Sequence, residues 1–404
     1  MFTKNKYTIY FYLILFFIVS LLLITANYSL SISYKEALNL YYNSSILSII
    51  TNSFTYIFGH NDLALRAPFI IFYTLSVILM FLITKDYFKY EKDRFISVLI
   101  FMSLPGVLSA SLLVNTAIIV TFFTLLYIYF YQKHKKHLYY LLPFLLLVDN
   151  SFAILFLALF LFSLKTKDRK LLYISSILFV VSLLIYGIST DGKPRGFLID
   201  TVGIYAAIFS PILFLYFLYV IYRLIVIKQT DLTTYISATA LILSILVSFR
   251  QKIYIEDFAP YVVIAIPSMV RMFLHSYRVR LKEFRTNYNI AAILIVVMLG
   301  INVVFTFVNK PLYLIIQNPQ KHFVYQYHIA KELSNELKNR DINNIILDDK
   351  DLLLRLKFYE IEEGNDYYLS TKEFYNYDDK ISIYYYEKEL FTIYIKKLIW
   401  KKHF

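Results

Sequence analysis

The chain has 404 residues, 59% of them hydrophobic and 17% charged, with a mean hydropathy of +0.57 and a formal net charge of +13. A water-soluble protein of this size could not enclose so much apolar surface, and repeated apolar runs instead match the roughly 20 residues a helix needs to cross a bilayer. Cysteine is absent, which excludes disulfides and thiolate metal sites.

Taken from the N-terminus, apolar segments fall near 8–26, 67–84, 95–113, 116–131, 138–148, 152–164, 171–188, 204–226, 235–249, 259–275 and 289–308. They predict an all-α polytopic membrane protein of about 11 transmembrane helices over residues 1–308. The first segment has no small-residue cleavage site and begins a series of spans, so it reads as a retained anchor. With the N-terminus inside, 20 Lys and Arg fall in cytoplasmic loops and six fall outside; the reverse orientation violates the positive-inside rule. The same rule splits 138–164 into two short helices meeting at Asp149, Asn150 and Ser151, because basic loops flank both ends. The chain thus reads as a multi-pass membrane protein with a cytoplasmic N-terminus, and its abundance of Ile, Lys, Asn, Tyr and Phe suggests an AT-rich bacterial genome and hence a bacterial cytoplasmic membrane.

Residues 1–308 carry 26 basic and 13 acidic residues, whereas 309–404 carry 15 of each. The excess charge therefore belongs to the membrane part, where it reports orientation and contact with anionic lipid, not nucleic-acid binding. The tail predicts a small α/β domain on the outer, periplasmic face. "QYHIAKELSNELKNR" has helical periodicity, "NNIIL" reads as a strand, and "KISIYYYEKELFTIYIKKL" as two strands around a charged turn. Its "LDDKD" (347–351) fits an acidic helix start better than a metal site.

The first outer loop, 27–65, is too long for a plain connector. Apolar residues at 34, 37, 38, 41 and 42 form a helical stripe, and a second follows from Ile46 to Phe58; two interfacial amphipathic helices are expected. Lys35 and Glu36 lie on the polar side of the first. Glu36 is the candidate general base. The few other outer basic residues, Arg66, Lys193, Arg195, Arg250 and Lys252, suit the phosphate of an anionic lipid-linked substrate.

The order of these features resembles the GT-C class of membrane glycosyltransferases, in the bacterial branch related to the lipid A aminoarabinose transferase and protein O-mannosyltransferases. Phe58, Gly59, Ala64, Leu65, Arg66 and Pro68 are similar to the phrase that closes the family's first outer loop. Arg250, Lys252, Tyr261 and Pro267 resemble its basic-loop motif. Lys35 stands where the family usually has aspartate, Asn115 stands at its second aspartate, and "VDNSF" lacks the usual hairpin lysine.

The resemblance implies sugar transfer from a polyprenyl-phosphate donor to an envelope glycan, lipid or protein. Glu36 would be catalytic, and Arg66, Arg250 and Lys252 would hold the phosphate. His60 and Asp62 would support the site, Asp149 would replace the lost carboxylate or else cap a half-helix, Glu256 and Asp257 would be further candidate acids, and some members use a divalent metal. Two alternatives stand beside it: an inactive GT-C-like protein that binds lipid-linked sugar or partners another transferase, and a flippase or transporter. The last is disfavoured because the spans hold few charges at mid-depth.

Overall fold

A computed structural model describes residues 2–187 and 196–398. The chain is mostly helical, with a small C-terminal sheet. In order, the helices are α1 (Phe2–Tyr28), α2 (Tyr34–Tyr41), α3 (Ile46–Phe58), α4 (Asp62–Ile83), α5 (Glu91–Met102), α6 (Pro105–Leu112), α7 (Ala117–His134), α8 (Leu141–Val148) and α9 (Phe152–Thr166). They continue through α10 (Arg169–Tyr186), α11 (Leu198–Phe209), α12 (Pro211–Val226), α13 (Leu232–Ser248), α14 (Ile255–Val263), α15 (Ile266–Val279) and α16 (Thr286–Phe307). The tail then gives α17 (Ala330–Asn339), β1 (Asn344–Leu347), α18 (Lys350–Lys357), β2 (Glu362–Glu363), β3 (Tyr367–Ser370), β4 (Asp379–Tyr385) and β5 (Lys388–Lys397).

Among the described residues four helices are long and apolar enough to cross a membrane, or up to seven spans if each bent pair counts as one. The three bent pairs are α5–α6 at 52°, α11–α12 at 105° and α14–α15 at 41°. Each was read from the sequence as one uninterrupted apolar run. The second helix of each pair carries proline at its first or second position (Pro105, Pro211 and Pro267). Proline starts a helix well but cannot donate to the preceding turn, so it divides a continuous apolar run into two rods. At the sharpest bend Ser210 also takes a φ of 80°.

Two compact units emerge. The first comprises residues 1–19 and 69–306; the second comprises 20–68 and 307–404. In the first, the inner faces of α7, α9, α13 and α14 are buried and apolar, with small serines and threonines admitting close helix approach. Gly106 on α6 shows how close: a Cβ there would sit 2.5 Å from Ile208 Cγ2.

The second unit is built around a sheet of order β2-β1-β3-β5-β4. Strand β1 runs parallel to β2 and β3, while β5 pairs antiparallel with β3 and β4. The β4–β5 hairpin turns through Tyr386 and Glu387, both at positive φ, the geometry of a tight two-residue turn that follows strand twist. Apolar side chains from α17, β1, α18 and β3–β5 close one core, including Leu333, Ile345, Leu356, Leu369 and Ile393. Asp349 caps α18 by accepting from the Asp351 and Leu352 amides, so the "LDDKD" acids serve a helix start. Helix α2 packs beside α18, where Tyr34 lies within electrostatic reach of Asp351 and the Lys357 ammonium lies 5.0 Å from the Tyr41 ring centre.

Candidate functional site

The sequence candidates separate into two groups, one in each unit. In the second unit, Ser33 and Glu36 form a reciprocal capping box: the Glu36 amide donates to the Ser33 hydroxyl, and Glu36 Oε2 accepts from the Ser33 amide at 2.9 Å. This turns the Glu36 side chain inward. Its Oε2 also lies 3.2 Å from Arg66 Nη2, with the two side chains 2% and 0% exposed. Arg66 donates further to the Ser31 carbonyl at 2.8 Å and lies 3.5 Å from Asp62 Oδ1.

Asp62 is shared more widely. Its Oδ2 meets Lys331 Nζ at 2.9 Å, and its Oδ1 accepts from the Tyr359 hydroxyl at 2.7 Å. Burial and the Asp62 carboxylate push the Tyr359 hydroxyl well above its ordinary range, so it remains a donor. The Tyr359 oxygen in turn accepts from the Ile32 amide, and Arg355 Nε donates to the Ile32 carbonyl at 3.0 Å. The Glu36 and Asp62 carboxylates thus oppose the buried Arg66 guanidinium and the half-buried Lys331 ammonium in a hydrogen-bonded set, the arrangement that offsets desolvation of the charges. Lys331, Arg355 and Tyr359 were absent from the sequence candidates. No local pattern links a tail residue to a loop near the N-terminus, so only the fold reveals them. Lys35 is exposed on the other side of α2, and His60 is exposed with its ring edge-on to Phe358 at 5.9 Å.

The first unit gathers the remaining described candidates. The α8–α9 break turns on Asp149, whose Oδ1 accepts from the Ser151 amide at 2.9 Å. The buried Tyr261 hydroxyl donates to the Ser151 carbonyl at 3.0 Å, tying α14 to that break. Asp257, half-buried on the first turn of α14, lies within electrostatic reach of Asp149 and Glu256, and Tyr261 within reach of Asp149 and Asp257. Glu256 and Asn115 line one cavity of about 230 Å³ between α6, α7, α11 and α14, with Ser109 and Thr121 as further polar walls. Arg250 and Lys252 are exposed in the link that leads from α13 into α14. Lys193 and Arg195 lie outside the described residues.

This second group adjoins an open cavity and holds several carboxylates, whereas the Glu36 group is buried and paired. Among the described residues no three His, Asp or Glu are grouped as metal ligands. The sequence matches no protein-family model and no curated protein.

Proposed function

We propose that the protein is a membrane glycosyltransferase that takes its sugar from a polyprenyl-phosphate donor, and that its chemistry resides in the Asp149–Glu256–Asp257–Tyr261 group. One observation carries the reading. Asn115 and Glu256, from separate sequence segments, line one cavity, the Tyr261 hydroxyl is tied to the break at Asp149–Ser151, and Asp257 beside Glu256 lies within electrostatic reach of Asp149. In this reading the chain makes about eleven passes, counting each bent pair as one. The N-terminus is cytoplasmic, the tail domain lies on the outer face, and the 20 inner against six outer basic residues support that orientation.

Asp257 takes the proton of the acceptor hydroxyl, whose oxygen attacks the anomeric carbon. The bond from that carbon to the phosphate oxygen breaks, the electron pair stays with the polyprenyl phosphate, and the configuration inverts. Arg250 and Lys252 neutralise the departing phosphate. Glu36 is assigned a different role from the one its motif suggests. The Glu36 carboxylate is buried and already engaged by the Arg66 guanidinium and the Ser33 amide, with no face left open to an acceptor hydroxyl, so Glu36 positions the loop.

The test is transfer from a labelled polyprenyl-phosphate sugar by purified, reconstituted protein. Asp257→Asn should lose at least about a hundredfold in rate, the usual scale for removing a general base, with an unchanged unfolding temperature. Glu36→Gln should lower stability and retain measurable transfer per folded molecule. Undiminished transfer by Asp257→Asn would sink the assignment of the base.

A further inference from the structure

At the opposite end of α13 from Arg250, two cavities adjoin. One is an apolar groove of about 540 Å³ between α9, α12 and α13, walled by Leu157, Leu161, Ala238, Ile242 and Leu246 and closed at one end by Lys165, Lys228 and Thr230. The other, of about 840 Å³, lies among α12, α15 and the link before α5, and contains Lys89, Arg223, Arg271, His275 and Arg278. Thr230 and Thr234 line both.

The charges of the second cavity do not cancel. Asp93 is committed to Arg278 at 2.6 Å. Asp231 caps α13, accepting from the Thr234 amide at 2.9 Å and from the Tyr87 hydroxyl at 2.7 Å. Among the described residues no carboxylate pairs with Lys89, Arg223 or Arg271. Lys165 donates to the Thr230 carbonyl and hydroxyl at 2.5 and 2.7 Å; an ammonium has three protons, so one remains for a further acceptor.

The groove has the dimensions of a lipid chain. From Thr234 to Leu246 it follows α13 for roughly 18 Å at 1.5 Å per residue, close to one leaflet of a ~30 Å hydrocarbon core. Ile242 and Leu246 are half or more exposed along it, so the groove opens sideways and a chain can enter from the bilayer.

We infer that the groove and the basic cavity together bind one anionic phospholipid. The acyl chain lies along α13, and the phosphate sits among Lys89, Arg223 and Arg271. Charge complementarity selects the occupant: basic pockets between membrane helices attract anionic headgroups, and a neutral lipid leaves these cations without a counter-charge. This site is independent of the transfer reaction and uses none of its residues.

The test places the protein in phosphatidylcholine nanodiscs and follows spin-labelled phosphatidylglycerol against spin-labelled phosphatidylcholine with the same chains. Phosphatidylglycerol should associate at least about fivefold more strongly, the factor expected of a single well-placed cation. The Lys89→Gln/Arg271→Gln double variant should bring the two lipids to parity, while Arg271→Lys keeps the preference and serves as the folded control. Ala238→Phe, which fills the groove, should reduce phosphatidylglycerol association without changing the unfolding temperature. Equal association of both lipids with the unmodified protein, or an unaltered preference in the double variant, would overturn the proposal. Displacement of the label by soluble glycerol phosphate would overturn it too, since the cavity would then be a site for a free phosphate.

Discussion

Arg66 is the residue on which the second unit turns. It is fully buried, and Glu36, Asp62 and the Ser31 carbonyl all meet its guanidinium. Removing one member of a buried ion pair leaves the other uncompensated, at a cost of about 3–5 kcal/mol. Arg66→Met should therefore lower unfolding free energy by that amount, and Glu36→Gln by less, because an amide still accepts from the guanidinium. The double variant should cost less than the sum of the two, with a coupling of about 0.5–3 kcal/mol; strict additivity in denaturant titrations would show that the pair does not act as one. His328 sets a pH dependence in the same unit. It is buried, its Nδ1 lies 3.0 Å from the Tyr313 hydroxyl, and its Nε2 has no partner among the described residues. Burial foremost, then the charges of Lys310 and His322, push its pKa down from 6.5 to about 3. The depressed pKa means the unfolded chain takes up the proton first. The contribution is complete above pH 6.5 and is lost as pH falls towards 3, amounting to about 2 kcal/mol between pH 7 and pH 5. His328→Phe should flatten that part of the stability profile, read from urea midpoints across the range.

Among elements, the broken helices matter most. Long apolar runs were plain in the sequence, and helices form along them, but the bends at 52°, 105° and 41° were not read from it. Pro105, Pro211 and Pro267 were visible, yet proline is also tolerated in the first turn of a straight helix. Which outcome occurs depends on the neighbouring helix. On α6 the neighbour is α11, packed so closely that Gly106 has no room for a methyl group beside Ile208. Gly106→Ala should destabilise the first unit by about 1–3 kcal/mol through overpacking and deform the adjoining cavity. Ile208→Ala in the same chain should recover much of the loss. Thermal unfolding in detergent checks both, and an unaltered Gly106→Ala protein would mean that α6 and α11 can separate freely.

Over the whole chain, residues 20–68 join 307–404 in one compact unit although a long membrane segment separates them in sequence. One apolar core of that unit is built from tail residues, so a fragment of residues 307–398 should fold cooperatively. It should be less stable than in the full chain, because Arg355 and Tyr359 lose Ile32 and Asp62, and Lys331 loses Asp62 and the Asn27 carbonyl. A synthetic peptide of residues 27–66 should raise its denaturation midpoint, and Arg355→Ala in the fragment should weaken that effect. A peptide without influence would show that the loop contributes little stability to the unit.

Sequence alone determined the elements whose signals are local. The 34–42 stripe foretold α2, "NNIIL" foretold β1, the basic loops foretold the break at Asp149–Ser151, and the charged turn foretold the β4–β5 hairpin. Periodicity, capping and turn chemistry act over a few residues, so they can be read in order along the chain. Glu36 was legible as a candidate for the same reason, through its place on an amphipathic helix. Its surroundings were not. Whether a carboxylate faces a cavity or a guanidinium depends on residues distant in sequence, and the tertiary structure alone brings Arg66, Lys331 and Tyr359 to Asp62 and Asp257 within electrostatic reach of Asp149. Packing made those choices, because burying a charge is tolerable only where the fold supplies its partner.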